Sequence, residues 1–495
     1  MKAEVNRTLG SQTMTQLHTY KHRSRPCALI ASAALVTATA SAATAQPDHG
    51  GALDANREAA LMTAVADELR LSDLTLQYME PPENPPASFE FTLDGAGLTV
   101  SLRRYSVRAD DFHVYVPDVN GKLVEVPPPP VSTYRGEVVG VDGSAVSASL
   151  NGAGLTAMVH LPDDTVLAVQ PVSDVVPHAP PGWHVVYFAD SVDAGPWVCG
   201  NDDLHGVAQR AMPRHDGDGE PDEGPSAAEE SDRIVDLYFD ADVEFYQANN
   251  SSVDATVLDI ERVVNAGDVI YRRDTGITQW IWGVIVRTGE PDPYNGTTAQ
   301  TLLCEFRTFW NANLDNRSRD TAHLMTGKNL AGNTIGLAWT GVVCNVVGTD
   351  GGGTCPNEDN LAYGLSQSRY TNTWSLRVSL TAHELGHNWN ASHCDGDRDC
   401  RIMCANNGGC TGVVTSFGSR ARGEITTYKD EEADCLTGCW PGQFVPSDPE
   451  TVLEAVRRAC WGSWISIDAR RYPENIRIHR AVRLQANGGL VVIGD

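Results

Sequence analysis

The sequence predicts a protein of mixed α and β structure with three parts, and three observations lead to this prediction. Residues 71–187 contain short alternating runs, such as those at 89–93 and 137–141, broken by Gly, Asp and Pro, a pattern typical of strands. Residues 234–325 alternate between strand-like and helix-like patterns, which predicts an α/β layer. Residues 451–493 begin with a helix-like stretch and return to short β-type runs.

The central α/β layer is predicted element by element from the spacing of its apolar residues. The predicted elements are a strand at 234–239, a helix at 253–268, a strand at 277–286, a helix at 299–310 and a strand at 322–325. We therefore expect a sheet packed against helices, with the site on the segments that follow.

The composition of the chain limits how many domains it can form and which partners it can bind. A chain of 495 residues is too long for one ordinary domain. Its hydrophobic content of 41% and its 11 Trp residues are sufficient for packed cores rather than bulk disorder. The formal net charge of −27 argues against nucleic acid and anionic membrane surfaces as partners.

Residues 1–45 are predicted to be an export signal, so the protein is expected to be secreted. A basic segment at 21–25 precedes an apolar run at 27–40, and small residues at 43–45 fit a cleavage site. Translation from Met14 would give a signal of more usual length. The alternative, a membrane anchor, is disfavoured because the run is short and weakly apolar, and no later segment is long and apolar enough to span a bilayer.

The cysteines form a clustered set with two outliers. Of the 12 cysteines, Cys27 lies in the predicted signal, Cys199 stands alone, and ten lie from Cys304 to Cys460. In an exported chain, such a set predicts a disulfide framework. Residues 391–439 contain six cysteines and little regular pattern, which predicts a loop-rich lobe held by disulfides.

A change of composition divides the chain. Residues 213–231 consist largely of Asp, Glu, Gly and Pro, typical of a flexible linker that proteases cut. The predicted segments are the signal at 1–45, a β-rich region at 46–212, the linker at 213–231, an α/β domain at 232–440 and a C-terminal segment at 441–495.

Three histidines within residues 381–393 predict a zinc site. His383 and His387 are four residues apart, so on a helix both point from one face and can share a zinc ion. His393 would be the third ligand, and three neutral imidazoles leave one position open, as in catalytic sites. Apolar residues on both sides of the predicted helix indicate that it is buried.

Two further residues affect this interpretation. Asn390 stands where the chain must turn sharply toward His393, and Asn tolerates the left-handed conformation better than other non-Gly residues. Cys394 is an alternative ligand, although neighbouring cysteines favour a disulfide. The remaining alternative, a chance arrangement of His residues, is improbable for this spacing.

These residues resemble the zinc motif of the metzincin metallopeptidases. The segments at 322–327, 334–338 and 402–404 resemble the strand, the substrate edge and the Met-turn of their reprolysin (ADAM-like) branch. The resemblance implies a mixed sheet with an active-site helix and a disulfide-held lower lobe. It implies that Met403 forms the Met-turn beneath the zinc and that Gly336, Leu337 and Ala338 lie on a substrate-binding edge strand. Calcium is common in this branch, but the sequence has no acidic loop with definite ligand spacing.

The resemblance extends to the N-terminal region. Residues 134–140, 144–147 and 167–171 are similar to the reprolysin propeptide. Cys199 followed by Gly200 resembles its cysteine switch, which implies a latent precursor in which the thiol blocks the zinc. The alternatives for Cys199 are a buried structural cysteine and a disulfide to one of the ten downstream cysteines. Residues 451–493 look instead like the opening of a right-handed parallel β-helix.

The resemblance implies an endopeptidase that acts on extracellular proteins or peptides after an unidentified protease activates it. Glu384, next to a ligand, would take a proton from the attacking water and deliver it to the leaving amine. Two alternatives remain open: a catalytically idle surface-binding protein of the same fold, and a zinc hydrolase of a non-peptide amide. A protein digest would distinguish them.

Overall fold

The computed structural model describes most of the chain beyond residue 52. The described residues are 53–80, 82, 85–193, 195–201, 233–344, 347–348, 355, 359–433, 435–438, 440–445, 451–474, 476 and 482–494. The predicted export signal at 1–45 and the predicted linker at 213–231 lie outside them. Among the described helices, none has both the length and the apolar character needed to cross a membrane.

The N-terminal half, residues 53–201, is rich in strands, as predicted. Its elements are α1 (Ala55–Leu69), β1 (Thr75–Tyr78), β2 (Ser88–Leu93), β3 (Leu98–Arg104), β4 (Arg108–Pro117), β5 (Leu123–Val126), β6 (Thr133–Val138), β7 (Ala145–Asn151), β8 (Gly154–His160), β9 (Val166–Pro171), β10 (Trp183–Phe188) and β11 (Val198–Cys199). Eight of these strands form an antiparallel sheet in the order β1-β10-β9-β8-β7-β6-β3-β2.

One strand prediction in this half was wrong. The run at 137–141 was expected to be a strand, but β6 ends at Val138. Gly140 and Gly143 both have φ near +80°, a conformation that glycine adopts without steric cost. The chain therefore turns there instead of continuing in the sheet.

The C-terminal half, residues 233–438, contains the predicted α/β layer. Its elements are β12 (Arg233–Ala241), α2 (Val243–Ala248), α3 (Val253–Thr275), β13 (Ile277–Val286), α4 (Ala299–Asn313), β14 (Thr321–Met325), β15 (Thr334–Ala338), β16 (Val347–Gly348), β17 (Asp359–Asn360), β18 (Tyr363–Ser366), α5 (Trp374–Asn388), α6 (Ser419–Glu431) and β19 (Thr437–Gly438). Strands β13-β12-β14-β18 run parallel, and β15 runs antiparallel to β18. The predicted mixed sheet is confirmed.

The two halves share this sheet. Strand β4 pairs in parallel with β13, and β11 pairs in parallel with β15. A buried ion pair also joins them, because Arg135 Nη2 lies 2.8 Å from Asp268 Oδ2 on α3. Removing one partner of a buried pair typically costs about 3–5 kcal/mol. The N-terminal half is therefore packed onto the sheet rather than tethered beside it.

The lower lobe, residues 391–438, is more regular than expected. It was predicted to have little regular structure, but it contains helix α6, so this part of the prediction was wrong. Ala421, Ile425 and Tyr428 are buried at helical spacing and pack against the core. The predicted disulfide framework is confirmed for four pairs: Cys304–Cys355, Cys344–Cys435, Cys394–Cys400 and Cys404–Cys410.

The tail, residues 440–494, has its own small core. Its elements are β20 (Trp440–Val445), α7 (Val452–Arg458), β21 (Ala459–Asp468), β22 (Arg471–Tyr472), β23 (Arg483–Asn487) and β24 (Val492–Ile493). Strands β20, β21 and β23 pair in parallel, and so do β22 and β24. Val445, Val456, Ile465 and Tyr472 belong to a buried cluster separate from the main core.

Candidate metal centre

Helix α5 (Trp374–Asn388) carries the site, and all fifteen of its residues are buried. Its last residue, Asn388, fixes the helix against the sheet. The Asn388 Nδ2 donates to the carbonyls of Trp339 at 2.9 Å and Tyr363 at 3.1 Å, and its Oδ1 accepts from Thr321 Oγ1 at 3.2 Å. A buried amide with these partners contributes orientation as well as stability, so the side chains one turn earlier are held in place.

The first two histidines are oriented by backbone carbonyls. His383 Nδ1 lies 2.7 Å from the Ile402 carbonyl, and His387 Nδ1 lies 2.7 Å from the Ala391 carbonyl. Since a carbonyl accepts, each Nδ1 donates, and each Nε2 is left with a lone pair. The two Nε2 atoms point toward each other at 3.0 Å.

The turn after α5 brings in the third histidine. Asn390 has φ +70°, which confirms the predicted left-handed conformation. The Asn390 N–H donates to the His387 carbonyl at 2.8 Å, and the Ala391 N–H to the Gly386 carbonyl at 2.9 Å. The chain then returns so that His393 Nε2 lies 3.3 Å from His383 Nε2 and 3.2 Å from His387 Nε2.

These separations fit a metal ion. Four ligands around tetrahedral zinc with bonds of about 2.0–2.1 Å place their nitrogens about 3.3–3.4 Å apart. Burial lowers the pKa of His383 to about 3, and burial with the neighbouring imidazoles lowers the pKa of His387 well below its usual value. Neutral imidazoles are the form that binds metals, and a cation would relieve the repulsion of converging lone pairs.

Cys199 lies beside the three converging histidines, although it is 184 positions before His383 in the chain. Its Sγ is 3.4 Å from His387 Nε2 and donates to Glu384 Oε2 at 3.4 Å. The Cys199 sulfur and one nitrogen from each histidine all lie within 4.8 Å of one another. A sulfur and a nitrogen on one tetrahedral zinc would be about 3.5 Å apart. The thiol is buried and lies outside the disulfides.

Glu384 faces this cluster from α5. Its side chain is fully buried, and burial raises its pKa well above the usual value. Its Oε2 accepts from the Cys199 thiol, while Oε1 has no hydrogen-bond partner among the described residues. A buried carboxylate oxygen without a partner is unusual in a structural role.

Met403 lies beneath the helix. It is fully buried, and a Cβ placed on Gly386 would be 2.7 Å from its Sδ. Gly386 therefore allows Met403 to pack closely between the turns that carry His383 and His387. Cys394 is disulfide-bonded to Cys400, so the predicted disulfide is confirmed and Cys394 is not a ligand.

Gly336, Leu337 and Ala338 lie on β15, with Leu337 and Ala338 fully buried. The outer side of β15 is already paired, because the Gly200 N–H donates to the Gly336 carbonyl at 3.0 Å. Asn201 Nδ2 extends this contact to the Ala338 carbonyl at 2.7 Å. Residues that follow Cys199 therefore run along the predicted substrate edge.

A second strip of backbone, residues 405–407, was not predicted from the sequence; we call it the lower wall. The Cys199 N–H donates to the Ala405 carbonyl at 2.8 Å, and the Asn407 N–H donates to the Trp197 carbonyl at 3.2 Å. The Cys199 segment thus lies in a groove between β15 and the lower wall. Backbone contacts of this kind leave no signal in the sequence.

This arrangement, a helix with three converging histidines and a buried glutamate below the edge of a mixed sheet, is the one that the resemblance to the metzincin metallopeptidases implies. Residues 231–425 match Metallo-peptidase family M12, represented by a reprolysin sequence profile. The predicted resemblance of this part of the chain to the reprolysin branch is therefore confirmed. Zinc is the metal that the family implies, and the histidine cluster fits it.

Three relatives illustrate the similarity. The chain is 26% identical over 285 residues to "Disintegrin and metalloproteinase domain-containing protein 19" of Mus musculus, a match covering 56% of this chain and 28% of the relative. It is 28% identical over 172 residues to "Snake venom metalloproteinase trimerelysin-2" of Protobothrops flavoviridis, covering 34% of this chain and 76% of the relative. "Disintegrin and metalloproteinase domain-containing protein 9" of Homo sapiens is 25% identical over 359 residues, covering 68% and 40%. The chain thus spans less than a third of the first relative.

Proposed function

We propose that the protein is a secreted zinc-dependent endopeptidase made as a latent precursor. The observation that carries this proposal is the convergence of His383, His387 and His393, with Nε2 atoms 3.0–3.3 Å apart, next to buried Glu384. The similarity to metallopeptidases supports it. Zinc held by these three residues would supply a Lewis acid that acidifies a water molecule and polarises the scissile carbonyl.

Glu384 is the proposed general base. Its Oε2 now accepts from the thiol that occupies the site, so the same oxygen can accept a proton from an attacking water once the thiol has left. The protonated carboxyl would then donate to the leaving amine. Its Oε2 lies 3.4 Å from the sulfur that occupies the site, so Glu384 is close to the proposed position of the attacking water.

Strand β15 is the proposed binding edge for substrates. The carbonyl of Gly336 accepts from the Gly200 N–H, so this edge can pair with an extended chain. A peptide substrate would replace the Cys199 segment and add a strand to the sheet, with affinity from backbone hydrogen bonds. The fully buried side chains of Leu337 and Ala338 would fix the position of this edge from below.

Latency is proposed to rest on Cys199. Its Sγ lies beside His387 and Glu384, in the position that the attacking water needs. In a zinc-loaded site, the thiol would bind as a thiolate and occupy the remaining coordination position. Met403, packed against Gly386, would act as the Met-turn that supports the ligands from below.

The remaining segments complete the proposal. Residues 1–45 would direct export, residues 46–212 would be the propeptide, and cleavage within 213–231 would begin activation. Four disulfides among the described residues support an oxidising compartment. Residues 232–440 would be the catalytic domain, and residues 441–495 the start of a parallel β-helix, which the parallel pairing of β20, β21 and β23 supports.

The experiment is to cut the purified protein within residues 213–231 and to measure its zinc content and its digestion of casein and gelatin. We expect one zinc per chain and cleavage of both proteins, which a chelator abolishes. If the protein freed from its N-terminal half contains zinc but digests neither casein nor gelatin, the catalytically idle binding protein is favoured. Hydrolysis of small amides alone would favour the non-peptide hydrolase.

A further inference from the structure

We infer that His160 is a proton-sensitive contact between the two halves of the precursor, so that acid favours detachment of the N-terminal half and exposure of the zinc site. The inference deepens the proposed function by naming how latency is regulated, and it rests on the proposed latent precursor. His160 ends strand β8 of the N-terminal half, and its partner Arg273 lies on α3 of the C-terminal half.

The side chain of His160 is buried on the face of the antiparallel sheet that the C-terminal half covers. Side chains alternate in direction along a strand, so His160 points the same way as Met158, which belongs to a core cluster shared with Val263 and Val264 of α3. Val159, between them, belongs to a cluster formed within the N-terminal half. His160 is 2% exposed, and detachment of the N-terminal half would open it to water.

The hydrogen bond between His160 and Arg273 requires a neutral imidazole. His160 Nδ1 lies 3.0 Å from Arg273 Nη1, and a guanidinium only donates, so Nδ1 accepts and carries no proton. Nε2 is buried and has no hydrogen-bond partner among the described residues. Protonation of Nδ1 would therefore break this bond and place a second positive charge beside Arg273.

Arg273 is held beside His160 by two other groups of the C-terminal half. Its Nε and Nη2 donate to the Asp274 carboxylate at 2.7 and 3.1 Å, and Nη2 also donates to the Thr415 carbonyl at 3.0 Å. The Asp274 carboxylate in turn accepts from the Phe417 N–H at 2.8 Å. Arg273 therefore keeps its charge and its position, and separation of the two halves removes its repulsion of a protonated His160.

The other charged groups near His160 do not compensate for an added proton. Arg135 on β6 also repels it, and the Asp274 carboxylate is already paired with Arg273. In the lower lobe, Arg401 lies 3.6 Å from Asp164, on the turn that follows β8. No carboxylate of the described residues forms an ion pair with His160. Burial, Arg273 and Arg135 together lower the pKa of His160 from 6.5 to about 3.

Attachment of the N-terminal half therefore weakens as the pH falls. A detached His160 takes up a proton below its ordinary pKa of 6.5, whereas the attached one stays neutral down to about pH 3. Detachment then binds a proton, and the contribution of His160 to association falls about tenfold for each pH unit between these two values. Above pH 6.5 the imidazole is neutral in both states, so this contribution no longer changes.

The test uses the full protein, loaded with zinc and cut within residues 213–231. Sedimentation of a dilution series measures the dissociation constant of the two halves at about pH 7.5 and 5.5, in a fixed urea concentration that brings it into range. We expect the constant to rise about tenfold more in wild type than in His160→Asn, because Asn keeps an acceptor for Arg273 but binds no proton. His178→Asn, at an exposed histidine of the same half, is the matched control and should behave as wild type.

The outcomes separate the inference from the proposed function. An equal rise in wild type and His160→Asn overturns the proton-sensitive contact, and so does a rise that His178→Asn reduces as much as His160→Asn. Because no substrate is used, both results leave the endopeptidase intact, whereas failure of the separated, zinc-loaded C-terminal half to digest proteins overturns the proposed function. If His160→Asn does not fold, His160→Gln also offers an acceptor without a titratable ring, and the same reduced rise is expected.

Discussion

The carboxylate of Glu384 occupies the space where a side chain on Gly336 would lie. A Cβ built on Gly336 would collide with the Glu384 Oε1 and Cδ atoms. The edge strand and the proposed general base are therefore in direct contact, and the absence of a side chain at Gly336 makes this approach possible. Because Gly336 is not in the left-handed region, the constraint is one of space rather than of backbone conformation.

We predict that Gly336→Ala displaces Glu384 and lowers kcat/KM on a peptide substrate by about 100-fold, as expected when a reacting group moves by about 1 Å. The zinc content should not change, because the three atoms nearest to the new methyl group all belong to Glu384 rather than to a histidine. Gly289→Ala is the control, since nothing lies within 4 Å of its Cβ position. Wild-type kcat/KM in Gly336→Ala would contradict the assigned role of Glu384.

The second prediction concerns latency. Cys199→Ala removes the sulfur beside His387 and Glu384, so the uncut precursor should cleave peptides. A mercurial reagent should have the same effect on the wild-type precursor by blocking the thiol. The measurement is the peptidase rate of uncut protein, with the intact chain verified by electrophoresis. A silent Cys199→Ala precursor would show that the backbone of β11 alone, paired with β15, closes the groove.

The third prediction concerns the turn before the third histidine. Asn390 has φ +70°, and a β-branched residue is strongly disfavoured there. Asn390→Val should lower the free energy of unfolding by about 1–2 kcal/mol and weaken zinc binding, whereas Asn390→Gly should retain both. Denaturant unfolding and a zinc titration measure the two effects.

The control for this prediction is Asn313→Val at the exposed end of α4, where φ is not positive. Equal losses in Asn390→Val and Asn313→Val would mean that the left-handed turn is not the cause.

The parts of the site that are formed by residues close together in the chain could be predicted, because the residue spacing that encodes them can be read in one short segment. The spacing of His383 and His387 predicts one helix face, and Asn390 was correctly expected to adopt the left-handed conformation. Strand β13 (Ile277–Val286) has the bounds that were predicted. The buried spacing of Ala421, Ile425 and Tyr428 was also a local signal, and it could have identified α6.

The parts that depend on distant contacts could not be predicted. The pairing of β4 with β13 joins segments more than 150 residues apart. The alternation of apolar and polar residues in β4 does not indicate which strand it pairs with. The lower wall contacts Cys199 and Trp197 through backbone groups, which every residue possesses. Cys199 could be suspected from its isolation and its resemblance to the cysteine switch, but its distance from His387 required the fold.

The fourth prediction concerns the tail. Its buried residues form their own cluster, and all proposed catalytic groups precede residue 404. A chain that ends at Trp440 retains β19, which pairs with β12. After cleavage within residues 213–231 and removal of the N-terminal half, it should therefore cleave peptides at the rate of the wild type treated in the same way. Loss of soluble protein in this variant, with solubility retained in the full-length chain, would show that the tail is needed for folding.

The most direct test of the central claim compares wild type and Glu384→Ala after cleavage within residues 213–231 and removal of the N-terminal half. Zinc per chain and casein hydrolysis are measured on the same preparations. We predict one zinc in both proteins, with hydrolysis lowered at least 100-fold in Glu384→Ala, since general-base catalysis typically contributes about 10²–10⁴-fold. Hydrolysis at the wild-type rate by zinc-loaded Glu384→Ala would contradict the assignment of this site as the peptidase centre.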